Sequence, residues 1–304
     1  MRPGSEEAHR LAAYPWCSAD DRRMDVLAVA FVLALASDAA TGGRLDSAAW
    51  VSLRGSPSAS AGQCPDYSVL FWRVSLANGV PRAERLKSRE HLDPIPFGYA
   101  EGGDRQGNRH VARVDGGWLV GFDAGEFGGG LWWFGERNGH HGRRIRPNPL
   151  LPTNPNDVFH AENVLGLPLV GGQRLVLMGL DHLMGRSGRI FRAVAGATGW
   201  ELAPVAVLDA EPDVWLVDGS RLLFLTESGL WVSDGAEAKR VHAVDLGAFA
   251  PTSMVRTRDG ALYIGMRYYV LRLSERGDVW EETWFVPASC QRMRFRDYQC
   301  ECLQ

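Results

Sequence analysis

The sequence predicts an all-β fold, and three observations support this prediction. Glycine, proline and tryptophan are abundant, with 35 Gly, 16 Pro and 11 Trp in 304 residues. Glycine and proline interrupt helices, whereas tryptophan favours strands. Apolar segments also come in pairs that are separated by a short turn containing glycine, and these pairs recur as groups of four segments. Such a recurrence predicts repeated four-stranded antiparallel sheets.

Four segments have the pattern of a β-hairpin. They are HVARVDGGWLVGF from His110, NVLGLPLVGGQRLVLMG from Asn163, VWLVDGSRLLFLT from Val214 and SMVRTRDGALYIGM from Ser253. Asp-Gly and Gly-Gly supply the positive φ that tight hairpin turns need. The spacings between successive turn glycines are 56, 47 and 41 residues, for Gly116, Gly172, Gly219 and Gly260. A regular repeat of hairpins is therefore predicted.

Two further segments follow each hairpin. The third segments are apolar and begin at Gly130, Arg189, Gly229 and Tyr268. The fourth segments are more polar and begin at Arg143, Glu201, Lys239 and Asp278. A polar fourth strand is expected at the solvent edge of its sheet. Upstream, the segments that begin at Ala48 and Tyr67 predict one less regular sheet, and residues 87–108 are rich in loop signals.

This repeat architecture resembles the β-propeller superfamily over roughly four-fifths of the chain. The resemblance implies a propeller of four-stranded antiparallel blades, five or six in number, across residues 46–287. Residues 1–45 are then a leader, and residues 288–304 are a cysteine-containing C-terminal tail. The sequence lacks the motifs that define WD, kelch and sialidase propellers. A pair of β-sandwiches is the competing fold.

The leader contains the pattern of a secretory signal. Residues 26–36 are eleven apolar residues without a charge, fewer than the ~20 that span a bilayer, so no membrane span is predicted. Arg22 and Arg23 precede this run, and small residues follow it. We expect a periplasmic or secreted protein. The alternative is a buried helix of a cytoplasmic protein.

The five cysteines bear on the same question. Cleavage after the apolar run would remove Cys17 and leave four, namely Cys64, Cys290, Cys300 and Cys302. In an exported chain these four are expected to form two disulfides, and the pairing stays open. A zinc site in the tail is the alternative. The tail lacks the paired Cys-x-x-Cys motifs of structural zinc and contains no histidine.

The charge balance limits the class of partner. The chain has 33 basic and 36 acidic residues, which gives a net charge of −3. This balance offers no electrostatic support for binding nucleic acid or an anionic membrane. The ligand that we expect for the loop face of the predicted propeller is a protein or glycan.

Charged residues follow the second strand of each clear repeat. In a propeller these positions open loops on one face of the disc. We predict candidate catalytic residues at Asp123, Glu126, Asp181 and His182, with Asp123 and Asp181 as ligands of a possible divalent cation. Glu227 and Arg267 are weaker candidates for ligand binding. The alternative is that these are ordinary polar loop residues, because Asp commonly starts a turn and loops are polar without any ligand.

Two histidines near the starts of inner strands are further candidates to line a central channel. They are His110 and His160. A lone histidine at such a position is more often structural. The sequence as a whole favours an exported binding module that recognises a protein or glycan through one loop face. A metal-assisted hydrolase or lyase and a structural envelope subunit are the alternatives.

Overall fold

The fold is taken from a computed structural model. It describes residues 44–53, 55–57, 70–88, 90–125, 128–136, 141–147, 163–182, 185–197, 199–247, 249–277, 279–289, 292–296 and 299–303. All of these residues belong to one compact unit, residues 40–304. Every regular element among them is a strand, and all strand pairings are antiparallel, which confirms the all-β prediction. Within these ranges no helix has the length and apolar character to cross a bilayer. The predicted signal segment, Cys17, Cys64, Glu126, His160 and Cys290 lie outside the described residues.

The first three strands do not form one sheet. They are β1 (Trp50–Ser52), β2 (Trp72–Ala77) and β3 (Val80–Arg85). Strands β2 and β3 form a hairpin, and both turn residues have positive φ, 55° at Asn78 and 80° at Gly79. Asn-Gly is the preferred dipeptide for such a turn. Strand β1 instead joins the last of the larger sheets, so the predicted pairing of β1 with this hairpin is wrong.

Four larger sheets follow, and each contains one of the predicted repeats. The first sheet contains β4 (Asn108–Val114), β5 (Gly117–Asp123), β6 (Gly129–Gly135) and β7 (Arg143–Ile145). The second contains β8 (Asn163–Gly166), β9 (Leu169–Val170), β10 (Gln173–His182), β11 (Gly185–Gly196) and β12 (Gly199–Leu208). The third contains β13 (Val214–Asp218), β14 (Arg221–Thr226), β15 (Gly229–Ser233) and β16 (Ala238–Ala243). The fourth contains β17 (Ser253–Arg256), β18 (Leu262–Gly265), β19 (Val270–Arg276) and β20 (Val279–Pro287), with β1 added beside β20.

The order of strands in each sheet follows the chain, as the hairpin pattern predicts. Strands β7, β12 and β16 are the outer edges of their sheets. In the fourth sheet β1 covers this edge, and Trp50 and Ser52 lie opposite Pro287 and Phe285. This pairing joins segments more than 200 residues apart in the chain. No local pattern could have revealed it.

The predicted turn glycines have the backbone conformation that the pattern requires. Their φ angles lie between 61° and 85°, for Gly116, Gly172, Gly219 and Gly260. Residues with a Cβ rarely adopt this left-handed region, whereas glycine does so without steric cost. These four positions therefore set where each hairpin reverses.

The central strands are apolar throughout because both of their faces are buried. Side chains alternate between the faces of a strand, so odd and even positions enter different cores. In β14, Leu222 and Phe224 pack against the second sheet, whereas Leu223 and Leu225 pack against the fourth. The same alternation in β10 sends Val176 to the first sheet and Leu175 to the third. The four large sheets are thus stacked in chain order by successive hydrophobic cores.

An irregular segment, residues 91–99, covers the remaining face of the first sheet. Ile95, Phe97 and Tyr99 are half-buried and pack against the face that contains Phe122, while the residues between them are exposed. Pro96 is one of those exposed residues, and Pro94, directly before Ile95, is exposed as well. A proline has no N–H to donate to a strand ladder, so this segment covers the sheet without joining it over its length.

The loop-rich stretch predicted over residues 87–108 contains no strand up to the start of β4 among its described residues. It does form isolated bridges, and Leu92 pairs in parallel with Arg109 of β4. The Arg109 N–H donates to the His91 carbonyl at 2.8 Å, and the Asp93 N–H donates to the Arg109 carbonyl at 3.2 Å. These bonds cover the inner edge of β4.

The C-terminal tail forms a separate hairpin of β21 (Arg292–Arg296) and β22 (Gln299–Leu303). In its backbone register Cys300 lies opposite Phe295, and Cys302 lies opposite Met293. The side chains of all four predicted disulfide cysteines lie outside the described residues. The two predicted disulfides therefore stay a prediction.

Candidate ligand-binding cavity and histidine cluster

A cavity of about 600 Å³ lies where the first strands of the sheets meet. The hairpin β2–β3 and all four large sheets contribute to its wall, through Arg73, His110, Leu165, Trp215 and Ser253. The connections between sheets supply other wall residues, such as Glu90 and Asp213. The end of β5 also reaches it through Asp123. The cavity therefore lies at the same end of the first sheet as the turn that joins β5 to β6.

The cavity wall is predominantly polar and carries more carboxylates than cations. The acidic residues are Glu90, Asp123, Glu211 and Asp213, whereas Arg73 is the cationic guanidinium in the wall. Two imidazoles, His91 and His110, add further hydrogen-bonding groups. Such a wall favours a neutral or cationic ligand with many hydroxyl or amino groups over a polyanion.

The indole of Trp215 forms part of the wall and is fixed by its neighbours. Its Nε1–H donates to the Leu165 carbonyl at 3.1 Å. A Cβ at Gly166 would lie 2.2 Å from this nitrogen, so the absence of a side chain there allows the close approach of β8 and β13. The aromatic surface is thus held in one position against the cavity.

Three side chains at this cavity form a compact cluster of metal-ligating type, which we call the histidine cluster: His91, Asp93 and His110. One potential ligand atom from each lies within 4.8 Å of the other two, and this is the only such group of three found among the described residues. His91 Nε2 lies 3.1 Å from Asp93 Oδ1. The two imidazole rings are stacked, with centroids 4.5 Å apart and 23° between their planes.

Hydrogen bonds between residues 91–93 and β4, each with one side-chain partner, position this cluster. Asp93 Oδ2 accepts a hydrogen bond from the Val111 N–H at 2.9 Å, and Arg109 Nε donates to the Asp93 carbonyl at 2.8 Å. The His91 N–H donates to Asn108 Oδ1 at 2.9 Å. His91 and Asp93 are two residues apart in an extended segment, so they share one side of it. The register with β4 then brings His110 beside them.

Burial controls the protonation of His110. The pKa of His110 is lowered from 6.5 to about 4, mainly by desolvation and to a lesser degree by the neighbouring His91, whereas the Asp93 carboxylate opposes the decrease. The imidazole of His110 is therefore neutral at neutral pH and keeps a lone pair on one ring nitrogen.

Asp123, predicted as a catalytic and cation-binding residue, lines the cavity. Its Oδ1 accepts a hydrogen bond from the Gly125 N–H at 2.9 Å, which is the turn contact expected of an ordinary loop aspartate. Its Oδ2 accepts from Asn108 Nδ2 at 3.3 Å. Asn108 thus connects Asp123 to the histidine cluster, although the Asp123 carboxylate is not one of its members.

Asp181 and His182 end β10, opposite Arg186 and Gly185 in the backbone register. Their side chains lie outside the described residues, as does Glu126. The roles predicted for these three residues in catalysis, and for Asp181 in cation binding, therefore stay predictions.

Glu227 and Arg267 border a second cavity, of about 490 Å³. Glu227 forms an ion pair with Arg186 there. Arg267 is only 6% exposed, and its guanidinium carbon lies 5.1 Å from the centroid of the Phe71 ring. Glu211, Asp213 and Pro251 line both cavities, so the two cavities are neighbours.

Sequence reasoning missed His91 and Asp93, and it considered His110 as a residue that could line a central channel but favoured a structural role for it. One signal was present, since His91-x-Asp93 precedes the strand that contains His110. An i, i+2 pair of ligating residues in an extended segment places both on one side. What the sequence could not provide was the pairing of this segment with the inner edge of β4.

The described residues form an all-β protein of stacked antiparallel sheets with a polar cavity where the first strands of the sheets meet. No protein family matches the sequence. No curated protein matches it either.

Solved structures that match the chain at low similarity include one extracellular domain, one lyase and one arabinanase. The extracellular domain of a hybrid two-component system from B. thetaiotaomicron matches with a TM-score of 0.40 and 10% identity, over 63% of this chain and 23% of that one. Virginiamycin B lyase from Staphylococcus aureus matches with a TM-score of 0.28 and 10% identity, over 77% and 87%. The GH43 endo-arabinanase of Bacillus licheniformis matches with a TM-score of 0.28 and 12% identity, over 58% and 69%. The chain thus spans under a quarter of the first of these proteins, and similarities this low define neither its fold nor its activity.

Proposed function

We propose that the chain is a five-bladed β-propeller whose central cavity binds a carbohydrate. The supporting observation is that the first strand of each sheet, from β2 to β17, contributes to the wall of one cavity. Stacked sheets that share an inner cavity are the arrangement of propeller blades around a channel. In this arrangement the hairpin β2–β3 is a two-stranded blade, and β1 is a fifth strand at the outer edge of the blade formed by β17 to β20.

The size and polarity of the cavity favour a small ligand over a protein. Its volume of about 600 Å³ lies within the range of small-molecule sites. A protein partner would require a broad surface of about 800 Å² on each side. The carboxylates accept hydrogen bonds from sugar hydroxyls, and the fixed indole of Trp215 offers an apolar surface for a sugar ring.

Binding of neutral and amino-substituted oligosaccharides to the full chain tests this proposal. Asp213 is exposed, and it lines the cavity, so Asp213→Asn removes a charge without disturbing a core. We expect this variant to weaken binding about ten-fold or more, as for loss of a charged hydrogen-bond partner. Calorimetry provides the measurement.

Glu136→Gln is the matched control. Glu136 is an exposed carboxylate that pairs with Arg113 and does not line the cavity. Its variant is expected to bind like the original chain. The proposal fails if no sugar binds, or if Asp213→Asn binds as tightly as the control.

Export of the protein is a further part of the proposal. It is supported by the apolar run of residues 26–36 and by the even number of cysteines that would follow cleavage. Mass spectrometry of the mature N-terminus provides the test. A chain that starts at Met1 or Met24 would contradict export.

A metal-assisted hydrolase or lyase is the second candidate function, and the histidine cluster is the observation that favours it. A metal ion beside a bound substrate polarises an oxygen or activates a water molecule. A structural envelope subunit, the third class, would not need a concave polar cavity. Turnover of a bound sugar, measured by product release, would separate the enzyme from the binding module.

A further inference from the structure

We propose that His91, Asp93 and His110 bind one divalent transition-metal ion in the cavity wall, with zinc as the best match. Two imidazoles and one carboxylate form a ligand set of the nitrogen and oxygen type that zinc accepts. Calcium and magnesium prefer oxygen ligands alone, so they match this set less well. The binding of the metal does not depend on the proposed carbohydrate ligand.

The spacing of the three groups is close to that of a coordinated site. Metal–nitrogen bonds of about 2.1 Å in a tetrahedron place ligand atoms about 3.4 Å apart. The potential ligand atoms lie within 4.8 Å of one another, and His91 Nε2 and Asp93 Oδ1 are already 3.1 Å apart. The remaining adjustment falls on His91, whose side chain is 55% exposed and has room to turn.

The other two ligands are anchored by the fold. His110 lies within β4, and Asp93 Oδ2 is occupied by the Val111 N–H at 2.9 Å. This hydrogen bond turns Oδ1, the second oxygen of Asp93, towards His91. Partners of this kind orient metal ligands and increase their affinity. The cluster therefore consists of two fixed ligands and one movable ligand.

A metal in this site would face the cavity. His91 and His110 both line the cavity, and three protein ligands leave at least one coordination position for water or another molecule. In this respect the inference deepens the proposed function, because an ion there would contact a sugar hydroxyl directly. A purely mechanical role is the alternative, in which the His91–Asp93 contact only fastens residues 91–99 to the first sheet.

Zinc titration of the full chain, produced without a polyhistidine tag, tests the proposal. We expect one zinc per chain. His91→Ala removes an exposed side chain and Asp93→Asn keeps an oxygen for the Val111 N–H, so both variants are expected to fold. Loss of a residue that orients a metal ligand lowers metal affinity by ~10- to 100-fold. Each variant changes a ligand itself, so it is expected to weaken zinc binding by at least this factor.

His141→Ala is the matched control, because His141 is also exposed but does not belong to the cluster. Its zinc affinity is expected to equal that of the original chain. Cobalt substitution gives a second readout, since the visible absorption of bound cobalt would appear in the original chain and in the control and disappear in His91→Ala. A purely mechanical role would produce no such absorption in any of them.

Two results would overturn the inference. One is a stoichiometry far below one zinc ion per chain for the original protein. The other is a His91→Ala variant that binds zinc as tightly as His141→Ala. Sugar binding measured with and without a chelator separates this inference from the proposed function. A chain that binds zinc but no sugar contradicts only the proposed function. A chain that binds sugar but no zinc contradicts only the metal site.

Discussion

Two sheet faces in this protein are covered in different ways, one by a neighbouring sheet with fully buried side chains and one by an irregular segment with half-buried side chains. The third and fourth sheets bury each other, and Leu223, Leu225 and Ile264 between them are at most 2% exposed. The first sheet has such a partner on one face only, and residues 91–99 cover the other with half-buried side chains. The first covering provides stability through apolar contact. The second provides chemistry, because an irregular segment places His91 and Asp93 beside a polar cavity.

The largest expected difference between the two coverings is in stability. Leu225→Ala removes a fully buried side chain and should lower the free energy of unfolding by about 2–5 kcal/mol. Ile95→Ala removes a half-buried one, and its cost should be about 1 kcal/mol. Urea denaturation of both variants measures these changes. Equal effects would show that residues 91–99 cover their sheet as tightly as a neighbouring sheet does.

A smaller effect is expected where two sheets meet at the cavity. Gly166→Ala would place a Cβ against the indole of Trp215 and should cost about 1–3 kcal/mol through overpacking. Gly130→Ala is the control, because Gly130 also lies in a strand and its nearest contact would be 3.4 Å. Denaturation followed by tryptophan fluorescence provides the measurement. If the Gly166 variant were as stable as the control, β8 and β13 would have to lie farther apart than the structure shows.

The smallest expected effect is local to the irregular covering. Asp93→Ala leaves the Val111 N–H without its acceptor and should cost about 1 kcal/mol. Hydrogen exchange is expected to accelerate at Val111 and in residues 91–99, whereas Leu223 and Leu225 in β14 keep their protection. Glu275→Ala, an exposed carboxylate in β19, serves as control. Uniform acceleration across the chain would contradict the separation of the two coverings.

Most strands could be predicted from the sequence because their signals are local. The turn glycines and the apolar alternation identify the strands of all four repeats. The positions of Trp132 and Trp133 could also be predicted, because neighbouring side chains in a strand point to opposite faces of the sheet. Trp133 indeed packs between the first and second sheets, whereas Trp132 packs on the face covered by residues 91–99.

Pairings between distant segments could not be predicted, and the histidine cluster depends on one of them. Asp123 was identified because it ends a recognisable strand. His91 and Asp93 were missed because they lie in a loop whose position follows from its contacts with β4. The pairing of β1 with β20 was missed for the same reason, since only the folded sheet brings Trp50 to Pro287.

The pairing of β1 with β20 also has a consequence for the order of events during synthesis. Strand β1 leaves the ribosome early, but its partner is made more than 200 residues later. Until then β1 has no ladder to join, and the fourth sheet cannot be completed. Contacts so distant in sequence slow folding and prolong the exposure of unpaired strands. At three residues, β1 offers little edge for wrong pairing while the rest of the chain is made.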